Sequence, residues 1–170
     1  KRFENNKYIP WDVFGYGGRA NFDSPAIVFD DTGTFEAISV ADKLLEQGIK
    51  VTMVSRYESL GASLPYPPAT VEAAKERLMS QDFDFIGGHY MQAITEDEVL
   101  IGVPFTERIR ALRANMVVLV TYNHPNRDLA EYILKENSHL EGKVHLVGDV
   151  SGTNGVQAAI HQAANLTRSI

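Results

Sequence analysis

The sequence predicts an α/β domain of three layers, with a central parallel sheet and a small antiparallel β insert. Three observations predict it. Short apolar bursts, rich in β-branched and aromatic residues, alternate with stretches of helical spacing. Each burst ends at glycine, aspartate or another turn residue, as buried parallel strands do. Residues 90–113 instead alternate apolar and polar positions around turn signals, which is typical of short antiparallel strands.

The chain begins with an irregular lead-in over residues 1–24, and the predicted sheet starts after it. We expect three aromatic side chains to pack this lead-in onto the core: Trp11, Phe14 and Phe22. A strand over residues 26–29, a helix, and a second strand over residues 51–55 then form a βαβ unit. The inward face of that helix carries four apolar side chains: Phe35, Ile38, Ala41 and Leu45.

The same alternation continues to the end of the chain. Further strands are predicted at residues 83–86, 115–121 and 144–147. Three more helices are predicted, with inward faces formed by Val71, Ala74 and Leu78, by Leu129, Tyr132 and Ile133, and by Val156, Ile160 and Ala163. The second of these helices should open at Pro125 and Asn126, and the third should span residues 153–166. The whole pattern is Rossmann-like.

Composition narrows the classes of function. The net charge of −6 and the lack of a lysine and arginine run argue against nucleic acid and anionic membrane surfaces as partners. The chain has no cysteine, which excludes disulfides and iron–sulfur ligands within it and fits a cytoplasmic location. The longest apolar run, residues 116–120, is far shorter than the ~20 residues of a membrane helix. Because the chain opens on Lys1 without an apolar signal segment, we expect a cut or processed N-terminus.

Ligands of such folds bind outside the carboxyl ends of the parallel strands. Three loops follow predicted strands there: residues 30–35, 121–126 and 148–155. Elsewhere the sequence has no serine-hydrolase elbow and no Walker loop, and its five histidines lack the spacing of a zinc site. We assign no catalytic residue and no metal ligand to this chain.

The loop Asp30-Asp31-Thr32-Gly33 is where a dinucleotide would bind. Working loops of this kind carry several glycines, and here Gly33 stands alone, with two carboxylates where phosphates would approach. Each like charge opposes a pyrophosphate by about 1 kcal/mol or more. Three interpretations of this loop stay open. Its acids stabilise the start of the following helix. Alternatively, the loop still binds phosphate, or its carboxylates hold a metal ion. Arg56 would suit the 2′-phosphate of NADP, or it is a solvated surface residue.

Three elements together resemble the C-terminal region of the trimethylamine dehydrogenase, 2,4-dienoyl-CoA reductase and NADH:flavin oxidoreductase family. Residues 27–33, running into residues 41–44, are similar to the degenerate cofactor loop of that family. Residues 114–126 are similar to its VVLVTGRxPN strand and loop, and residues 144–149 to its YxIGD flavin element. The elements occur in the family's order and span residues 25–170.

This resemblance implies a domain organisation. Residues 25–143 would correspond to an NAD(P)-binding-like domain in degenerate form, and residues 144–170 to the return segment of an FAD-type domain. The FMN-bearing barrel, the FMN and the iron–sulfur cluster would lie upstream in a longer parent chain, so this fragment alone should be inactive. The implied partners are that barrel, the flavin domain of the same parent chain, and a separate electron-transfer protein.

The chain departs from the family pattern in one of the loops that would contact a cofactor. Where the family has glycine in its Gly-Arg-x-Pro-Asn loop, this chain has Tyr122, which would fill the space that NAD(P) needs. Gly148 and Asp149 match the family better. By resemblance, Asp149 would accept a hydrogen bond from a flavin ribityl hydroxyl, giving a partial site for FAD or an adenine nucleotide. Alternatively, Asp149 caps its own loop.

The resulting hypothesis is an accessory redox domain of a multi-cofactor flavin oxidoreductase that does not bind NAD(P) in the conventional way. Two alternatives stay open. One is a competent NAD(P)H-binding module that delivers hydride to FAD. The other is a domain without nucleotides that serves as a scaffold or assembly surface.

Overall fold

The computed structural model describes residues 7–16, 22–64, 69–152 and 155–169. The chain divides into two compact units, the first ending at Tyr122 and the second beginning at Asn123. The predicted boundary after residue 143 rests on the family resemblance and stays a prediction.

The described residues of the first unit contain eight strands in two sheets. The strands are β1 (Lys7–Tyr8), β2 (Ala26–Asp30), β3 (Val51–Ser55), β4 (Phe83–Ile86), β5 (Tyr90–Ile94), β6 (Glu98–Gly102), β7 (Ile109–Arg113) and β8 (Met116–Val120). The larger sheet is entirely parallel, with the order β1-β8-β2-β3-β4. The smaller sheet is antiparallel, with the order β5-β6-β7. Strand β2 therefore lies at the centre of the parallel sheet, between β8 and β3.

Helices cover one face of the parallel sheet, and the antiparallel sheet covers the other. The helices of this unit are α1 (Pro10–Val13), α2 (Phe35–Leu45) and α3 (Ala69–Met79). Every residue of β2 is buried, and its side chains alternate between the two faces. Val28 belongs to the cluster on the helix side, whereas Ile27 and Phe29 pack with Val99 and Ile101 of the insert. The predicted three-layer α/β class is confirmed.

Most predicted elements of this unit are present. The inward faces of α2 and α3 are buried at Ile38, Ala41, Leu45, Val71, Ala74 and Leu78. Phe35 is exposed at the start of α2, so its predicted inward position is wrong. The lead-in is less irregular than predicted, because it contains β1 and α1. Phe22 packs edge-on against Tyr8, but the predicted packing of Trp11 and Phe14 onto the core is wrong, since both side chains are exposed and neither belongs to a core cluster.

Among the described residues of the second unit, the regular secondary structure is helical. It contains α4 (Asp128–Glu136), α5 (Val156–Ser169) and two 3₁₀ turns, Ser138–Leu140 and Gly148–Ser151. The predicted strand over residues 144–147 is wrong: that segment pairs with no strand among the described residues, and a strand needs a neighbour to satisfy its backbone groups.

The predicted inward faces of the last two helices are also wrong in part. Leu129 and Tyr132 of α4, and Val156 and Ile160 of α5, are exposed. Neither helix has a buried residue in the described structure. In the described part of the chain no helix is both long enough and apolar enough to cross a membrane.

Candidate functional site

The end of β2 is built around the carboxylate of Asp30, whose residue is only 1% exposed. Its Oδ1 accepts hydrogen bonds from the backbone N–H groups of Thr32 and Gly33, at 3.0 and 2.8 Å. The Thr32 hydroxyl donates to the same oxygen at 3.1 Å, and the Ser55 hydroxyl lies 3.1 Å from Oδ2. The Asp30 carboxylate therefore stabilises its own loop, and it uses two backbone N–H donors of that loop, those of Thr32 and Gly33.

The segment that follows β3, residues 56–64, folds back over this loop. Ser63 N–H donates to the carbonyl oxygen of Gly33 at 2.9 Å. Gly33 has φ +67°, and a Cβ there would lie 2.7 Å from Ser63 Oγ and 3.0 Å from the Tyr57 ring. Only glycine fits this backbone without strain, and the space above it is filled by the chain itself.

Two phenols join the ends of β8 and β3 across the central strand. The hydroxyl oxygens of Tyr57 and Tyr122 lie 3.3 Å apart. Hydrogen bonds with Ser63 and then Tyr122 lower the pKa of Tyr57, while the bond to Tyr57 raises the pKa of Tyr122. Tyr122 is 53% exposed, so it is not a packed core aromatic, and its hydroxyl contacts Tyr57, whose ring lies beside Gly33.

Asp31 and Arg56 pair with each other. Arg56 Nη1 donates to Asp31 Oδ1 at 3.2 Å, and its guanidinium carbon lies 5.8 Å from the centre of the Tyr57 ring. This pair is open to solvent, so its contribution to stability is small. Arg56 therefore lies at the surface with a carboxylate partner, and its suitability for a 2′-phosphate stays a prediction.

A third acid, Glu36, lies in the first turn of α2. Burial raises the pKa of its carboxyl, and the negative charge of Asp30 raises it further. Two carboxylates next to one helix start thus repel each other, which also opposes an incoming phosphate. No group of three or more potential metal ligands occurs among the residues that the structure describes, so the acids of this loop form no recognisable metal site.

The other predicted site residues, Gly148 and Asp149, belong to the second unit. Gly148 is buried with φ +78°, whereas Asp149 is exposed. Gly148 N–H donates to Gln162 Oε1 at 2.8 Å, and Ser151 Oγ lies 2.7 Å from the Gly148 carbonyl oxygen. Arg127 Nε donates to the Val150 carbonyl at 3.1 Å. The turn is therefore held from α5 and from the start of α4, with Asp149 at its surface. Thr153 and Asn154, where the sequence predicts the start of the next helix, lie outside the described residues.

The structure brings together six of the eight predicted site residues at the carboxyl edge of the parallel sheet: Asp30, Asp31, Thr32, Gly33, Arg56 and Tyr122. Sequence reasoning missed Ser55, Tyr57 and Ser63, which complete this cluster. Ser55 ends β3 and Tyr57 follows it, so the rule that carboxyl ends of parallel strands meet at one edge could have found both.

The fold of this chain is similar to that of segments of known proteins. No protein-family model and no curated protein sequence matches the chain. Among solved structures, histamine dehydrogenase from Rhizobium sp. 4-9 aligns with 97% of the chain, at 18% identity and a TM-score of 0.83. The 6-hydroxypseudooxynicotine amine oxidase from Pseudomonas geniculata N1 aligns with 92%, at 22% identity and a TM-score of 0.74. A 2-naphthoyl-CoA reductase aligns with 92%, at 17% identity and a TM-score of 0.75.

The chain covers only 26%, 23% and 22% of these three proteins, in the same order. All three are members of the family that the sequence resembles. The resemblance is confirmed at the level of the fold: the chain has the fold of a segment found in flavin oxidoreductases of the trimethylamine dehydrogenase and NADH:flavin oxidoreductase family.

Proposed function

We propose that this chain is an accessory domain of a larger, multi-cofactor flavin oxidoreductase, and that its NAD-type loop does not bind NAD(P). The observation that carries the proposal is that side chains of the chain itself occupy the loop after β2. Pyrophosphate binding at such a loop needs free backbone N–H groups and a close approach to glycine. Here the N–H groups of Thr32 and Gly33 donate to Asp30, and Tyr57 and Ser63 occupy the approach to Gly33.

Charge supports the same conclusion. Three acidic residues lie at the start of α2 or in the loop before it, Asp30, Asp31 and Glu36, and the guanidinium of Arg56 is paired with Asp31. A dinucleotide would bring two further negative charges to this edge of the sheet. Its phosphates would meet repulsion where a working site offers a helix dipole and open amides. The residues present therefore do not fit an NAD(P) pyrophosphate.

The turn of the second unit fits a flavin or adenine nucleotide better. Asp149 presents a carboxylate at the surface, and Gly148 brings the backbone close to α5 without a side chain in the way. In this proposal Asp149 accepts a hydrogen bond from a ribose or ribityl hydroxyl, and the FAD-type domain of the parent chain supplies the rest of the site. A bound flavin would supply the redox chemistry, and this chain would orient it.

The remaining parts of the proposal concern the parent protein. Its upstream barrel would carry FMN and the iron–sulfur cluster, and a separate electron-transfer protein would take the electrons. We propose a cytoplasmic location. A longer chain that includes these domains should retain flavin through purification, and Asp149→Ala in that chain should weaken retention while Asp12→Ala should not.

The first test is calorimetric titration of the chain with NADH and NADPH up to millimolar concentration. We expect no saturable heat from a sample whose circular dichroism shows it to be folded. Tyr122→Gly is a matched variant, since it removes the exposed phenol but leaves Tyr57 and Asp30 in place, and it should also fail to bind.

Saturable binding at micromolar strength by the unaltered chain, abolished by Arg56→Ala, would overturn the proposal and favour an NAD(P)H module. Binding gained only by Tyr122→Gly would mean that the tyrosine alone blocks a competent loop. That result would contradict the proposed role of Asp30 in filling the phosphate position.

A further inference from the structure

One side chain of α5 closes the turn that carries Asp149. The Oε1 atom of Gln162 accepts a hydrogen bond from the N–H of Gly148 at 2.8 Å. The hydroxyl oxygen of Ser151 lies 2.8 Å from the same Oε1 and 2.7 Å from the carbonyl oxygen of Gly148, so the hydroxyl proton has two acceptors within reach. A single amide oxygen therefore ties together the first and the last residue of the turn Gly148–Ser151.

The guanidinium of Arg127 holds the same turn by its carbonyl groups. Its Nε donates to the carbonyl oxygen of Val150 at 3.1 Å, and its Nη2 lies 3.4 Å from the carbonyl oxygen of Ser151. Because a guanidinium is planar, two bonds from it fix direction as well as distance. The turn is thus held through its donors by Gln162 and through its acceptors by Arg127.

Asp149 lies within this turn, but its carboxylate takes no part in these bonds. The residue is exposed, and among the described residues no group hydrogen-bonds its carboxylate. The backbone on both sides is constrained: Gly148 has φ +78°, Gly152 has φ +96°, and the Gly152 N–H donates to the Asp149 carbonyl oxygen at 3.0 Å. A carboxylate that capped the turn would accept its N–H groups. The arrangement therefore fits a carboxylate that is oriented for a ligand.

We propose that Gln162 is a positioning residue for Asp149. Its side-chain oxygen holds the turn in the conformation in which the Asp149 carboxylate meets a hydroxyl of a flavin or adenine nucleotide. This inference rests on the proposed function of Asp149. A carboxylate that is already oriented loses less conformational entropy when the ligand binds, so the bonds of Gln162 act on affinity through Asp149.

The chemistry of these bonds predicts which substitutions of Gln162 are tolerated. Methionine is close to glutamine in length and shape but lacks a comparable acceptor, so Gln162→Met leaves the Gly148 N–H without this partner. Glutamate keeps an oxygen acceptor at the same distance along the side chain, and a carboxylate accepts hydrogen bonds at least as strongly as an amide. Methionine satisfies a role in packing, whereas glutamate satisfies a role in positioning.

Titration of the apoprotein of the longer parent chain with FAD, followed by flavin fluorescence, measures this role. We expect Gln162→Met to raise the dissociation constant about tenfold, and Gln162→Glu to stay within about threefold of the unaltered protein. Gln157→Met is the matched control, since Gln157 is exposed on the same helix, and it should leave the affinity unchanged. Tolerance of methionine together with a loss of affinity in the glutamate variant would overturn the proposal.

The same titration with ADP separates the two sources of the hydroxyl. An equal loss of affinity for ADP in Gln162→Met assigns the hydroxyl to the ribose, and a loss confined to FAD assigns it to the ribityl chain. Either result supports the positioning role.

A double-mutant cycle shows whether Gln162 acts through Asp149. We expect Asp149→Ala alone to weaken FAD binding about tenfold or more, and the further change Gln162→Met to add no more than about twofold, because the positioned carboxylate is gone. Full and independent losses in the double variant would overturn the positioning role. If Asp149→Ala leaves the affinity for FAD unchanged, the proposed function of this turn is wrong as well. If Asp149→Ala weakens binding and Gln162→Met does not, the function of Asp149 stands and the role of Gln162 is wrong.

Discussion

Asp30 shows how one side chain can take the place of a bound anion. A phosphate at this loop would accept hydrogen bonds from the first backbone N–H groups after β2, and the Asp30 carboxylate does so from within the chain. The bond from Ser55 adds a tie to the neighbouring strand. In the sequence, Asp30 and Asp31 are equivalent acids in one loop, because sequence does not reveal that the last strand residue points inward. The structure separates them: Asp30 is structural, and Asp31 is a surface partner of Arg56.

Replacing Asp30 should therefore affect stability more than binding. Asp30→Ala leaves two buried N–H groups without an acceptor, and we expect a loss of about 3 kcal/mol or more in the free energy of unfolding. Asp30→Asn keeps the acceptor Oδ1 and should be less destabilising than the alanine by about 1 kcal/mol or more. Urea denaturation followed by circular dichroism measures both. Asp31→Ala is the matched control and should change stability by no more than about 0.5 kcal/mol. Equal effects of the two alanine variants would contradict the structural role of Asp30.

Gly33 gives a second test at the same scale. Gly33→Ala forces a side chain into the left-handed region and against Ser63 and Tyr57. Gly48→Ala meets the same backbone strain at φ +75°, but nothing lies within 4 Å of its Cβ. We expect about 1–2 kcal/mol for Gly48→Ala from strain alone, and about 1–3 kcal/mol more for Gly33→Ala from overpacking. Thermal denaturation compares them. If the two variants are equally destabilised, the 56–64 segment does not pack on Gly33 as described.

At the scale of elements, the sequence predicts best where a segment is buried on both sides. Strands β2, β3 and β8 are short continuous apolar runs, and such runs have few stable alternatives to the middle of a parallel sheet. The alternation in residues 90–113 predicts the antiparallel insert for a different reason: this sheet is buried on one face, where Val99 and Ile101 meet the core. Periodicity identifies an apolar face that must pack against another element, and in the first unit such an element is present.

The wrong predictions for the second unit share one cause. The segment 144–147 has the composition of a strand, and α4 and α5 have apolar faces, but composition cannot say whether a partner is present. Without a neighbouring strand an extended segment leaves backbone groups to water, and without a packing surface Leu129 and Val156 stay exposed. The same limit explains why sequence reasoning missed Ser63: its contact with Gly33 depends on how residues 56–64 fold back, which has no signal in local periodicity.

At the scale of the whole molecule, the two units differ in how their secondary structure is stabilised. The first unit buries apolar side chains on both faces of its parallel sheet. The second unit consists of helices without buried residues and turns held by polar bonds such as those of Gln162 and Arg127. Isolated helices of about ten residues are marginal in water, because most helix stability comes from packing. The second unit should therefore open more readily than the first.

Hydrogen exchange followed by mass spectrometry would measure this difference. We expect the amides of α5 to exchange at least about a hundredfold faster than those of α2, because α5 opens locally whereas α2 opens only when the first unit unfolds. The comparison is matched, since both are full helices, of 14 and 11 residues, that differ mainly in burial. Equal protection would contradict the local opening of α5. Protection that appears only in a longer chain would mean that α5 acquires its packing surface from the parent protein, as expected of a return segment of an FAD-type domain.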